Sequence, residues 1–75
     1  MFEKLQELIL QYVQPEGELT EESRFIEDMG FDSFSVMTLV GDIEDEFDIE
    51  LDERAVAEVR TLGDMMKYIE KLQNV

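Results

Sequence analysis

The chain contains no cysteine and no histidine. Without cysteine no disulfide staples the fold, and nothing speaks for an oxidising compartment. Without histidine the usual general base is missing, as are the common imidazole and thiolate metal ligands. Positive charge is scarce: 6 lysines and arginines face 20 aspartates and glutamates, a net charge of −14. That balance argues against nucleic acid, whose phosphates need lysine and arginine. It argues equally against anionic membrane surfaces. No apolar run is long enough to span a bilayer, and no signal-peptide pattern occurs. The expectation is a soluble, cytoplasmic monomer. At 75 residues it forms one domain, residues 1–75, with a modest core.

What is abundant is acid, and it is unevenly placed. Asp42, Glu44, Asp45, Glu46, Asp48, Glu50, Asp52 and Glu53 crowd into one short stretch. Solubility alone does not require such crowding. It suits basic protein partners and salt-sensitive encounters.

Periodicity organises the rest. Phe2, Leu5, Leu8, Ile9, Tyr12 and Val13 form an apolar stripe on a helix over Phe2 to Val13, ended by Pro15 and Gly17. A long connection, about Gln14 to Phe31, follows; such loops need pinning. Leu19, Phe25, Ile26, Met29 and Phe31 are the expected pins, with one helical turn around Glu21 to Phe25. A second helix runs from about Ser33 to Phe47. Val36, Leu39, Val40, Ile43 and Phe47 share its inner face; Phe34, Met37, Thr38, Gly41, Glu44 and Asp45 point outward. Gly41 leaves a shallow bare patch there. Ile49-Glu50-Leu51 reads as an extended link. Asp52 caps a brief helix to about Glu58, with Ala55, Val56 and Val59 inward. Thr61-Leu62-Gly63-Asp64 is a capping box opening a last helix to about Leu72. Leu62, Met65, Met66, Ile69 and Leu72 are its buried stripe, and Gln73-Asn74-Val75 is expected to fray. The fold class is all-α: a small bundle of three main helices plus one short one, with a long first loop.

Gly30-Phe31-Asp32-Ser33-Phe34 is the stretch with chemical promise. Asp32 is a good N-cap, which places Ser33 at the first helical position. A phosphate ester there would meet unpaired backbone N–H groups and the positive end of the helix dipole. The plainer alternative, that Asp32 and Ser33 merely cap a helix, stays open at this point.

Asp42 to Glu53 also imitates the ligand spacing of a calcium-binding EF-hand loop. Phe47 stands where that loop needs glycine, however, and Asp42 to Phe47 belong to the periodic helix. No specific metal site is expected.

The chain resembles the acyl carrier protein family over nearly its whole length. The resemblance rests on Glu27-Asp28-Met29-Gly30-Phe31-Asp32-Ser33-Phe34, Glu44-Asp45-Glu46-Phe47-Asp48-Ile49, Thr61-Leu62-Gly63-Asp64 and Tyr68-Ile69. It implies that a phosphopantetheinyl transferase attaches 4'-phosphopantetheine from coenzyme A to Ser33, next to Asp32. The arm's thiol would carry acyl groups as thioesters in fatty acid or polyketide-type synthesis, and the chain itself would be no enzyme. Acyl-transferring and chain-extending enzymes with basic patches would meet Asp42, Glu44, Asp45 and Glu46, with Phe34 and Met37 as apolar anchors. The acyl chain would be sheltered by Val36, Leu39, Val40, Ile43, Phe47, Val59, Leu62 and Met66. Four positions depart from the family pattern: Phe34 replaces the usual leucine, Ser35 and Thr38 replace acids, and Gly41 replaces a large apolar residue. The upper half of the docking helix is thus less acidic, which leaves room for a specialised pathway. An aminoacyl or peptidyl carrier and an unmodified acidic interaction domain remain the rival readings.

Overall fold

The computed structural model describes residues 1–74. Four helices follow in order: α1 (Phe2–Leu10), α2 (Ser33–Phe47), α3 (Glu53–Glu58) and α4 (Leu62–Gln73). Leu5 and Ile9 of α1, Leu39 and Ile43 of α2, and Leu62, Met65 and Ile69 of α4 are fully buried against one another in a single core. These are the residues whose spacing marks one face of each helix. Val56 brings α3 onto the same core.

Both ends of α2 follow from local chemistry. Gly30 has φ +86°, a conformation that costs other residues strain, and the chain turns there into the extended Asp32 cap. At the far end Asp48 adopts the left-handed conformation at φ 55°, which aspartate tolerates better than most residues. Its N–H and that of Ile49 both reach the Glu44 carbonyl. Asp52 caps α3 by accepting from the Arg54 amide at 3.1 Å. The Asn74 amide donates to the Glu70 carbonyl at the end of α4, and Val75 lies outside the described residues.

Several expectations need correction. Helix α1 stops at Leu10 rather than Val13. Gln11 and Tyr12 bond carbonyls three residues back, the tightening common in a last turn. Tyr12 is 37% exposed instead of buried; its ring leans on Phe31 and its hydroxyl donates to Asp42. An amphipathic phenol at the rim satisfies both of its ends this way.

The long connection is pinned by Leu19, Phe25, Met29 and Phe31, all buried, but Ile26 is 56% exposed. Phe25 and Phe31 pack edge to face at 5.8 Å, and the turn over Phe25–Asp28 throws Ile26 outward. The helical turn lies over Arg24–Asp28, closed by the Asp28 amide on the Arg24 carbonyl at 3.0 Å, rather than over Glu21–Phe25, where only a tighter turn at Glu21–Glu22 forms. The segment runs beside the tip of α4, through an isolated bridge between Arg24 and Thr61. The Leu62 amide donates to the Ser23 carbonyl at 2.9 Å, and the Gly63 amide to the Glu21 carbonyl at 2.8 Å. Orphan donors at a helix start need acceptors, and here the loop supplies them. A Cβ on Gly63 would stand 3.0 Å from the Glu21 carbonyl oxygen, so glycine permits the approach.

Candidate functional site

Ser33 is the first residue of α2 and is exposed. Its hydroxyl has no hydrogen-bond partner among the described residues, because the cap is closed by its neighbours. The Ser35 amide donates to the Asp32 carboxylate at 2.8 Å, and the Asp32 amide donates to the Ser35 hydroxyl at 3.0 Å. The Ser35 amide, then the Ser35 hydroxyl, hold the Asp32 carboxyl below its ordinary range, with a lesser share from the Phe34 amide. This is the reciprocal box, with serine in the place glutamate often takes. Ser35, noted in the sequence only as a missing acid, therefore fixes the helix start.

A cleft of about 290 Å³ opens beside Ser33. Three segments line it: the turn Arg24–Glu27; Ser33, Val36 and Met37 of α2; and the stretch from Glu53 to Arg60, with Met65 behind. Most of that lining is apolar. Of the eight residues named for sheltering an acyl chain, Val36 and Val59 border this cleft. Leu39, Val40, Ile43 and Leu62 are instead core residues, and Phe47 and Met66 pack on the core from its edge. Phe25, Ile26, Val56, Ala57 and Met65 border the cleft without having been named for that role. The sequence marked Val56 and Met65 as inward-facing and Phe25 and Ile26 as pins, but no single-helix period shows that a loop, α3 and α4 meet at one cleft.

The outer face of α2 divides in two. Near Ser33 it is uncharged, with Phe34 82% and Met37 44% exposed. Met37 also borders the cleft. Thr38 bonds back to the Phe34 carbonyl, and a Cβ on Gly41 would meet only open space. Farther along stand the acids. Glu44 does not point freely outward as expected: it is half-buried and accepts from the Leu51 amide at 2.9 Å. The chain reverses after Asp48, and that link needs an acceptor. Asp42 receives the Tyr12 hydroxyl, whose pKa is raised by this bond. Glu46 pairs with Lys4 at 3.0 Å and raises the lysine pKa. Asp45 is exposed and makes no hydrogen bond or ion pair among the described residues. Asp42 through Phe47 are helical, so half of the EF-hand-like window is not a loop. Among the described residues, no group of three or more acids is arranged to hold a metal ion, and no helix is long and apolar enough to cross a membrane.

The family profile for the phosphopantetheine attachment site matches residues 3–69. An acyl carrier protein from Wolinella succinogenes is 39% identical over 72 residues, 93% of each chain. One from Thermotoga maritima is 41% identical over 56 residues, 75% of this chain and 69% of that one. A solved structure from Mycobacterium tuberculosis, described as a candidate acyl carrier protein, superposes with a TM-score of 0.85. It is 27% identical, and the match covers 93% of this chain and 95% of that one. With its four helices, its capped serine and these relatives, the chain belongs to the acyl carrier protein family, whose prosthetic group is 4'-phosphopantetheine.

Proposed function

We propose that this chain carries acyl groups on an arm attached through Ser33, in fatty acid or polyketide-type biosynthesis, and catalyses no reaction itself. One observation carries the reading: Ser33 presents an exposed hydroxyl with no partner at the tip of α2, beside an apolar cleft. The residues present fit a phosphate ester. The Ser33 amide makes no hydrogen bond among the described residues, the Phe34 amide faces only the Asp32 carboxylate, and the dipole of a long helix favours negative charge at its start. When bound, 4'-phosphopantetheine supplies a thiol that holds acyl groups as thioesters.

In the loading reaction the Ser33 oxygen bonds to the phosphorus on the pantetheine side of coenzyme A. The pyrophosphate bond breaks, and the adenosine bisphosphate half leaves. The serine proton passes to a base of the transferase. Asp32 is a poor candidate for that task, because its carboxylate is committed to Ser35 and its pKa is held low. The partners are thus a phosphopantetheinyl transferase and acyl-transferring enzymes. Asp45 is the α2 acid with no partner among the described residues, and Phe34 and Met37 are apolar anchors beside the arm.

The test is an intact mass after incubation with coenzyme A and a broad-specificity transferase. The expected result is a gain of one arm, absent in Ser33→Ala and retained in Ser35→Ala. No gain in the native chain would overturn the carrier reading and favour an unmodified acidic interaction domain.

A further inference from the structure

The cleft beside Ser33 holds an unusual concentration of a scarce resource. Of the 6 cationic side chains in the sequence, two arginines, Arg24 and Arg60, line it. Arg24 is committed: it pairs with Glu27, and its Nε donates to Asp28 at 3.1 Å. Arg60 uses only its backbone, accepting from the Phe25 amide and donating to Asp64. Its guanidinium makes no ion pair or hydrogen bond among the described residues, in a chain of net charge −14. Glu53, the other carboxylate on the lining outside the Arg24 pair, forms no ion pair with it. Arg54, Lys67 and Lys71 likewise form no ion pair among the described residues, but of these four cations only Arg60 lines the cleft, where it can attract an anion.

If Ser33 carries the arm, one anion, its phosphate, comes to this cleft, and an acyl group with a terminal carboxylate would bring a second. The phosphate would sit on the serine oxygen, at the positive end of α2 beside the unbonded Ser33 amide. Arg60 belongs to another wall, the link between α3 and α4, and the lining also presents Val36, Val56 and Met65. The lining thus combines apolar side chains with an exposed, unpaired arginine. The cleft's volume lies just under the range typical of drug-sized ligands, which suits a short chain. We infer that Arg60 anchors the terminal carboxylate of a short dicarboxylic acyl cargo, making the cleft selective for acyl groups with a charged end. This rests on attachment at Ser33.

The experiment loads the chain from butyryl- and succinyl-coenzyme A, cargoes of equal carbon count that differ in the terminal carboxylate. Intact mass verifies each loading before thermal melting at low salt. The expected result is a Tm about 2–4 °C higher for the succinyl form, the shift of a pair worth a fraction of a kcal/mol in a domain of this size. Without an anchor the sign reverses, since another negative charge is added to an already negative chain. Arg60→Gln should abolish the succinyl advantage, Arg60→Lys should keep its sign, and 0.5 M salt should shrink it. Equal melting of both forms, or an advantage that survives Arg60→Gln, overturns the inference. So does a loss in Arg60→Gln that is the same for both cargoes, which would assign the arginine to the phosphate. Absence of any mass gain would instead sink the attachment at Ser33.

Discussion

Helices α2 and α4 start with the same device and put it to opposite uses. Each opens with a reciprocal capping box, Asp32 with Ser35 and Thr61 with Asp64. In α4 the next two amides are consumed by the carbonyls of Ser23 and Glu21. Among the described residues the corresponding amides in α2, those of Ser33 and Phe34, meet no carbonyl of another segment; the Phe34 amide faces only its own cap, Asp32. The side chains diverge in parallel. The first helical residue is buried Leu62 in one case and exposed Ser33 in the other; the second is buried Gly63 against Phe34. A capping box thus determines where a helix begins. Whether its tip is available for chemistry depends on what the tertiary structure lays over it.

The sharpest way to break this comparison is to truncate the two first residues. Leu62→Ala should cost about 2–5 kcal/mol in denaturant unfolding, as expected for a buried leucine. Ser33→Ala should stay within about 0.5 kcal/mol. Similar costs would mean that the two tips are not differently packed.

The second positions give the next contrast. Gly63→Ala should destabilise by about 1–3 kcal/mol, because the new methyl meets the Glu21 backbone. It would do so although alanine is the better helix former by about 1 kcal/mol. Phe34→Ala should change stability little. Hydrogen exchange sharpens the same point: the Leu62 and Gly63 amides should be protected, and those of Ser33 and Phe34 should exchange quickly.

The caps respond to acid in the same direction. The Arg60 amide, followed by the Thr61 amide and hydroxyl, lowers the Asp64 carboxyl pKa; the Ser35 amide does most of this for Asp32. A pKa depressed in the folded state adds stability above the ordinary value of about 3.9 and loses it as pH falls through the lower folded value. Melting curves between about pH 5 and pH 2 should therefore show native protein converging on Asp64→Asn and on Asp32→Asn. A gap that held constant down to the lowest pH would refute the assignment.

The smallest effect concerns encounter rates. Asp45→Lys on α2 should slow acyl transfer from a partner enzyme at low salt by about tenfold or less, and salt should erase the difference. Glu70→Lys on α4 should leave transfer unchanged. Equal slowing by both would show that net charge, rather than the α2 face, steers the partner.

Much of this was legible in the chain. The bounds of α2 and α3, the two caps and the buried stripes follow from cap chemistry and from a period of 3.6 residues, both local signals. Ser33 stood out for the same reason. Other features depended on contacts between distant segments. Glu44 lies on the outward-facing period of α2, yet the returning link draws it in to serve Leu51. Ile26 has the hydrophobicity of a pin, but Phe25 and Phe31 already fill the space. The helical turn expected over Glu21–Phe25 forms later, over Arg24–Asp28, while the Glu21 and Ser23 carbonyls serve the α4 tip.

From its residues alone, this protein was an acidic, all-helical chain with a serine just inside the cap of its second helix, since periodicity, capping and charge are written locally. Only the folded chain decided which helix tip stays open, which acids are already engaged, and that a cleft ending at Arg60 lies beside Ser33. Those outcomes depend on which distant backbone and side-chain groups meet, and no local pattern carries that information.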